Sequence, residues 1–231
     1  MKRLTKLCDK LSRKGFIPEH AAEVGVYHPE TSNIYNYIIQ GIKCTLVEPD
    51  QKSVELIKNH FSDFPNLNLY PVAVYDYNGE ISLVQRLAST FVSELTNSPA
   101  IINDGYKMQE SDKFVVECKT FDQIDDGSID LLSLDVEGSE WYVIKHMVSR
   151  PKVISIETHG AIYVNPFLNK ILEWMKKNDY AIWYKTDSDT VFVKTDYISI
   201  STFDRISLNV KNCNLLFKKM RKKLKRDVLQ S

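Results

Sequence analysis

The ten residues from Ile129 to Gly138, Ile-Asp-Leu-Leu-Ser-Leu-Asp-Val-Glu-Gly, hold more chemistry than any comparable stretch of this chain. The apolar positions and the closing glycine read as a short buried strand. It ends in two carboxylates, Asp135 and Glu137, and residues i and i+2 of a strand share a face. Like charges side by side at the end of a buried strand are costly unless something offsets them. Other apolar runs end the same way: one over 21–24 carries Glu23 and reaches Gly25, and one over 44–47 runs into Glu48 and Pro49. A run over 153–157 ends on Glu157 and continues to His159. Ligands of open α/β sheets sit outside the carboxyl ends of the strands, so these residues form one candidate site. The bland alternative for each acid is a solvated carboxylate at a strand-to-loop turn.

Such a site needs a scaffold that lays strands side by side. Leu4, Leu7 and Leu11 recur at helical spacing in a lead-in helix over 2–14. The strand over 21–24 precedes a helix carrying Ile34, Tyr37 and Ile38, capped by Thr31 or Ser32 and ended by Gly41. A strand over 44–48, a helix over 52–61 and a third strand over 67–74 continue the alternation, which predicts βαβ units and a mainly parallel sheet. From Gly79 the alternation lapses. Strands over 80–84 and 114–118 bracket a polar stretch with Asn97, Pro99, Asn103 and Gly105. This insertion over 79–118 has the character of a lid over the sheet's carboxyl edge. A helix over 139–147, the strand over 153–157 and a helix over 166–177 follow, and runs over 180–185 and 190–194 read as an antiparallel hairpin. The expected class is α/β, as one domain over 1–231: a lead-in over 1–20, a core over 21–195 and a C-terminal segment over 196–231.

A net charge of zero conceals an asymmetry. Residues 218–231 hold seven Lys/Arg against Asp227, leaving the tail at about +6 and the body at about −6. An acidic body argues against nucleic acid as a partner of the whole domain. No apolar run approaches the length of a membrane span, and the basic start lacks the apolar stretch of a signal peptide. Cys8, Cys44, Cys118 and Cys213 are far apart and read as reduced thiols of a cytosolic protein.

The first strand end, Glu23-Val-Gly25-Val-Tyr27-His28-Pro29, is too poor in glycine to bring backbone amides onto a pyrophosphate. That weakens a nicotinamide or flavin reading. S-adenosylmethionine carries no phosphate, and its ammonium and sulfonium suit acids near the first turn. Glu48 suits ribose hydroxyls, because a carboxylate accepts from both. At this point the chain resembles the FkbM-like branch of the class I methyltransferases. The matching pieces are Glu23-Val-Gly25, Val47-Glu48-Pro49, Pro71-Val-Ala-Val74 before Asn78-Gly79, Lys119-Thr-Phe-Asp122, Leu134-Asp-Val-Glu-Gly-Ser-Glu140 and Ile156-Glu-Thr-His159. They run in family order through residues 20–160. The resemblance implies a Rossmann-like methyltransferase sheet, S-adenosylmethionine as cofactor, and O-methylation of sugar or polyketide hydroxyls. The first loop departs from the family pattern, with Glu23, Tyr27, His28 and Pro29 where Asp and Asn-x-Gly are common.

These readings give a set of expected roles. Glu23, Gly25, Tyr27, His28, Glu48 and Pro49 hold the cofactor, with Ala73 and Val74 along the adenine. Asp135 and Glu137 orient the methionine end and the acceptor, and Ser89 and Thr90 of the insertion contact the acceptor. An alcohol acceptor loses a proton, so a general base helps. Of the five histidines, His159 is best placed, and its usual pKa of about 6.5 suits the task. A packing histidine is the plain alternative there, while His20, His60 and His146 read as capping, surface or helix residues. Asp135, Glu157 and His159 are also candidate ligands for a divalent cation, ranked behind a metal-free base. The expected substrate is a sugar hydroxyl of a glycan or glycoconjugate. Two other readings stay open: a metal-dependent O-methyltransferase of small phenols or polyketides, and a non-catalytic module binding glycan or RNA. The tail sets Phe217, Met220, Leu224 and Val228 on one stripe amid cations. Such a helix can lie on an anionic membrane surface, touch nucleic acid or an acidic partner, cap its own negative body, or simply be solvated.

Overall fold

The computed structural model describes residues 4–86, 89–95, 97–160 and 162–229, with the side chains of Asp104 and of 223–229 left aside. In chain order the elements are α1 (Lys6–Arg13), β1 (His20–Val24), α2 (Tyr35–Ile39), β2 (Lys43–Val47), α3 (Gln51–His60), β3 (Leu67–Tyr70), β4 (Ala73–Val74), β5 (Gly79–Arg86) and β6 (Ser89–Val92). There follow α4 (Pro99–Asp104), β7 (Lys113–Lys119), β8 (Leu131–Leu134), α5 (Glu140–Lys145), β9 (Val153–Glu157), α6 (Leu168–Lys177), β10 (Tyr180–Lys185), β11 (Asp189–Lys194) and α7 (Thr202–Leu229).

Seven strands form the central sheet in the order β10-β11-β9-β8-β1-β2-β3. All pairings from β9 to β3 are parallel, and β11 runs antiparallel to both of its neighbours. Side chains alternate faces with period two. Ala21, Leu131, Val153 and Val193 lie in register across four strands on one face, and Ala22, Leu132, Ile154 and Phe192 on the other. Leu7, Leu11, Ile38 and Ile57 of α1, α2 and α3 cover the first face, and Ile144, Ile171 and Met175 of α5 and α6 cover the second. Burial on both faces explains why β1 and β8 are buried along their whole lengths. Each large apolar side chain so buried contributes about 1.5–3 kcal/mol. The chain steps outward from β1 to β3, then returns to β8 on the other side of β1. That reversal is the switch point at which open α/β sheets bind ligands.

The run over 67–74 does not form one strand. It breaks at Pro71, which has no N–H to give a ladder. β3 ends the large sheet, and β4 joins a four-stranded sheet, β4-β7-β5-β6. The insertion is therefore a small sheet with its own core of Ile81, Leu83, Val92 and Cys118, not a loose lid. Its helix α4 starts at Ser98, whose hydroxyl accepts from the Ile101 N–H, and ends at Gly105 in the left-handed conformation (φ +67°). Asn103 Oδ1 accepts from the amides of Ile162 and Tyr163 at 2.9 and 3.0 Å, tying the insertion to the segment after β9. Neither Thr31 nor Ser32 caps α2, whose N-cap is Ile34; the Ser32 hydroxyl goes to Glu23 instead. Cys8, Cys44 and Cys118 are buried free thiols, and Cys213 is exposed.

Candidate active site

A cavity of about 330 Å³ opens at the carboxyl ends of β1, β2 and β8, a size typical of small-molecule sites. Glu23, Gly25, Tyr27, Glu48 and Pro49 form one side of it. Ala73 and Val74 form a second, and Asp135 and Glu137 a third. Ser89 and Thr90 come in from the insertion, together with Phe91 and Val92, which the sequence reading left out.

The loop after β1 is shaped by close approach. Gly25 has φ +82°, and a Cβ there would stand 1.8 Å from the Asp135 carbonyl oxygen. Only glycine lets the two strand ends pass at this distance. The loop then closes around a carboxylate. Glu48 Oε2 accepts from the amides of Val26 and Tyr27 at 2.9 and 2.8 Å, and Oε1 from the amide of Asp50 at 2.9 Å. Burial pushes the Glu48 carboxyl up, and the three N–H donors oppose that. Most of its acceptor capacity is thus spent on backbone, leaving about one lone-pair position for a ribose hydroxyl. Glu23 is likewise turned into the protein. Its Oε2 accepts from Ser32 Oγ at 2.5 Å and its Oε1 from the Asn33 amide at 2.9 Å. Burial raises it to about 7 against those hydrogen bonds.

The turn after β8 repeats the device. Glu140 Oε1 accepts from the amides of Val136 and Gly138 at 3.1 and 3.2 Å, and Oε2 accepts from Asn165 Nδ2. The side chain is fully buried, and burial raises it to about 7. Glu137, between the two bonded amides, takes φ +54°, and Tyr27 takes φ +56° in the first loop. Non-glycine residues in this region cluster at functional sites because their surroundings hold them there. Sequence reasoning gave Glu140 and Asn165 no role. The signal for Glu140 was present: a glutamate in the first turn of a helix reaches back to preceding amides, as in a capping box.

Asp135 opens into the cavity. Burial within the fold raises its carboxyl well above the usual range, with the charge of Glu137 next in weight, then Asp189, Glu23 and Glu48. So much negative charge around a small cavity favours a cationic ligand.

His159 stands outside the cavity wall. Its Nδ1 is 2.8 Å from Thr158 Oγ1 and its Nε2 is 3.4 Å from the Thr186 carbonyl oxygen. Its own amide and that of Thr158 both donate to the Ser188 carbonyl. The ring is thereby tied to the β10–β11 turn, and burial lowers its pKa. His28 is also outside the wall, edge-on to Tyr27 with ring centres 4.0 Å apart. Glu157 ends a strand one place further from the cavity and is raised to about 11, by burial first and then by Asp135 and Glu137. Among the described residues no three His, Cys, Asp or Glu side chains assemble as a metal-holding group. Asp135 and Glu157 feel each other's charge, but His159 does not join them, because the hairpin turn engages its ring. His20 is buried rather than capping, bridging Ser128 and Thr45 at 2.8 and 2.9 Å.

The walls fit S-adenosylmethionine. Val47, Pro49, Val74 and Leu83 would offer apolar wall to a purine, Asp135 and Glu137 would face the cofactor's positive end, and the amides of Val26 and Tyr27 are already taken by Glu48 rather than left for a phosphate. Solved structures of similar fold include the methyltransferase domain of bacterial CtHen1 (9% identity, TM-score 0.46, covering 83% of this chain and 97% of that one). Others are a ribosomal protein L11 methylase from Lactobacillus delbrueckii subsp. bulgaricus (10%, 0.41, 81% and 76%) and precorrin-6y C5,15-methyltransferase from Geobacter metallireducens GS-15 (11%, 0.39, 83% and 90%). No curated protein matches the sequence significantly. The model of the methyltransferase FkbM domain matches residues 23–182, which contain every wall of the cavity, and the chain belongs to that family of S-adenosylmethionine-dependent methyltransferases.

Proposed function

We propose that the enzyme methylates a hydroxyl group, on a sugar of a glycan or glycoconjugate. The observation that carries this reading is Asp135: a carboxyl raised by its surroundings, open to the cavity, beside the polar insertion residues Ser89 and Thr90. The family resemblance supports a hydroxyl as the acceptor. The cofactor supplies an already activated methyl group. The chain's own residues position the reactants and exclude water. Gly25 and the amides held by Glu48 fix the first loop, Val74 and Pro49 line the purine slot, and Asp135 and Glu137 meet the positive end. Beside the positive end of the cofactor, the Asp135 carboxyl would be favoured in its ionised form. The carboxylate then accepts the proton of the acceptor hydroxyl, a role that His159, held by Thr158 and Thr186, is not placed to fill.

The first experiment is calorimetric titration of the protein with S-adenosylhomocysteine, with NAD as control. Micromolar binding of the former alone is expected. Absence of binding in a folded sample overturns the reading. With a sugar acceptor in hand, Asp135→Asn is expected to lower turnover by about 10²–10⁴-fold. His159→Ala is expected to keep it within about tenfold, because the ring is outside the wall. The reverse result returns the base to His159.

A further inference from the structure

α7 is much longer than the basic tail, and it carries an apolar stripe that the fold does not use. Phe203, Ile206, Val210, Phe217 and Met220 are all more than half exposed, and Cys213 lies exposed on the same line. Their spacing of three and four residues puts them on one side of the helix. The half-buried residues of α7, Asp204, Leu208, Lys211 and Leu215, lie on the opposite side, toward β10. The stripe extends about 26 Å at 1.5 Å per residue. Leu224 and Val228 would continue it, but their side chains lie outside the described residues.

The helix has a defined course. Asp204 near its start pairs with Lys14 at 2.7 Å. Further on, Lys211 and Lys218 pair with Asp187 at 2.6 and 3.0 Å. Asp187 lies in the turn between β10 and β11, on the carboxyl edge of the sheet, because Asp189 is in register with Glu157 at the end of β9. α7 therefore crosses the sheet from its amino edge to its carboxyl edge. Beyond Lys218 it continues to Leu229, about 16 Å further, on the edge where the cavity opens. Lys219, Arg221 and Lys222 are exposed there, and the sequence adds Lys223, Lys225 and Arg226.

From this arrangement we infer that α7 docks the protein on an anionic lipid surface, apolar stripe inward. An exposed apolar stripe on a helix that ends in a run of cations is what an interfacial helix requires: the apolar side chains enter the acyl boundary while the cationic end is drawn to anionic headgroups. No described helix is long and apolar enough to cross a membrane, so the attachment is to the surface. The same spacing suits a coiled coil, but charge disfavours a second copy as the occupant. Parallel pairing would lay two cationic ends together. Antiparallel pairing would set each against the segment 202–217, where Asp204 is the one acid. Docking rests on α7 and not on the acceptor assignment.

Co-sedimentation of the full chain with vesicles tests it: phosphatidylcholine alone, and phosphatidylcholine with about one-third phosphatidylglycerol. Binding is expected to the anionic vesicles and to weaken as salt screens the charges. The double variant Val210→Asp/Phe217→Asp and the charge variant Lys219→Glu/Lys222→Glu are each expected to lose about tenfold or more in partitioning. Both should retain S-adenosylhomocysteine binding, which shows them folded. Absence of binding by the parent chain, or binding unchanged in both variants, overturns the inference. So does light scattering that shows a dimer without vesicles which Val210→Asp/Phe217→Asp dissolves, since the stripe then belongs to a second copy. A parent chain that binds vesicles but not S-adenosylhomocysteine overturns the functional reading and leaves the docking intact.

Discussion

The turns after β1 and β8 are built to one plan and secured in two ways. Each carries a glycine and a non-glycine residue at positive φ, Gly25 and Tyr27 in one, Gly138 and Glu137 in the other, and Gly25, Tyr27 and Glu137 line the cavity. Each wraps backbone amides around a buried glutamate. In the first, Glu48 comes from the end of the neighbouring strand, 22 positions from Val26. In the second, Glu140 comes from the helix that follows, four positions from Val136. The first loop therefore exists only once β1 and β2 are paired, whereas much of the second can form locally. The clamps also differ electrically. Glu48 receives three backbone N–H bonds, while Glu140 has two and an amide from Asn165, with the charge of Asp135 close by. The comparison teaches that one turn is held by a carboxylate from the neighbouring strand and the other by a carboxylate from the helix that follows it.

The sharpest test uses the glycines. Gly25→Ala places a methyl against the Asp135 carbonyl at a distance no real contact allows, and at φ +82°. A loss of more than about 3 kcal/mol is expected, with S-adenosylhomocysteine binding gone. Gly138→Ala is also strained, at φ +108°, but its nearest neighbour would be Tyr163 Oη at 3.3 Å. About 1–2 kcal/mol is expected there. Equal costs in urea unfolding would mean that the second turn is as tightly crossed as the first.

Next in size are the clamps. Glu48→Gln and Glu140→Gln each turn an acceptor oxygen into a donor that faces another donor, and about 1–3 kcal/mol is expected for each. Glu48→Gln should weaken cofactor binding more, since the loop it holds carries Gly25 and Tyr27. Burial raises both carboxyls, and the charge of Asp135 adds to the rise of Glu140. Glu23 and Glu140 rise from 4.5 to about 7 on folding. A raised carboxyl favours the fold while protonated, so this contribution is complete below pH 4.5 and is lost as pH climbs to about 7. Thermal unfolding of the parent chain should show a loss of about 3 kcal/mol per group across that window. Glu140→Gln should remove its own share of the slope. A slope unchanged by the substitution would locate the titration in the other raised carboxyls, Glu23, Glu48, Asp135 and Glu157.

These differences also explain what the sequence let one read. Strand-end acids were visible because acids are rare in buried apolar runs, and Glu23, Glu48, Asp135 and Glu137 do line one cavity. Their partners were not visible. Whether a carboxylate faces a ligand or a backbone amide depends on loop paths, and Glu48 spends itself on Val26, Tyr27 and Asp50. His159 looked free at a strand end because the turn that engages it, through Thr186 and Ser188, arrives from 27 positions away. Pro71 was in plain view and should have split the run over 67–74, since a missing N–H counts against a strand interior. The stripe on α7 was half legible: the sequence reading began it at Phe217, while the structure extends it back to Phe203.

The smallest expected effect separates the turns at the level of single hydroxyls. Ser139 Oγ donates to the Val136 carbonyl at 2.8 Å and is buried. Thr31 Oγ1 donates to the His28 carbonyl at 2.8 Å and is exposed. Both carbonyls keep a backbone N–H when the hydroxyl is removed, from Ser139 and Thr31 themselves at 3.2 and 3.0 Å. Neither acceptor is orphaned, so what remains is the net worth of one hydrogen bond. In a buried turn that is about 1 kcal/mol, and at an exposed position water replaces most of it. Ser139→Ala should therefore cost about 1 kcal/mol and Thr31→Val under about 0.5 kcal/mol in urea unfolding. If Thr31→Val proved the costlier, the first loop would depend on its own side chains as well as on Glu48. The contrast between a turn held by the sheet and a turn held locally would then fail.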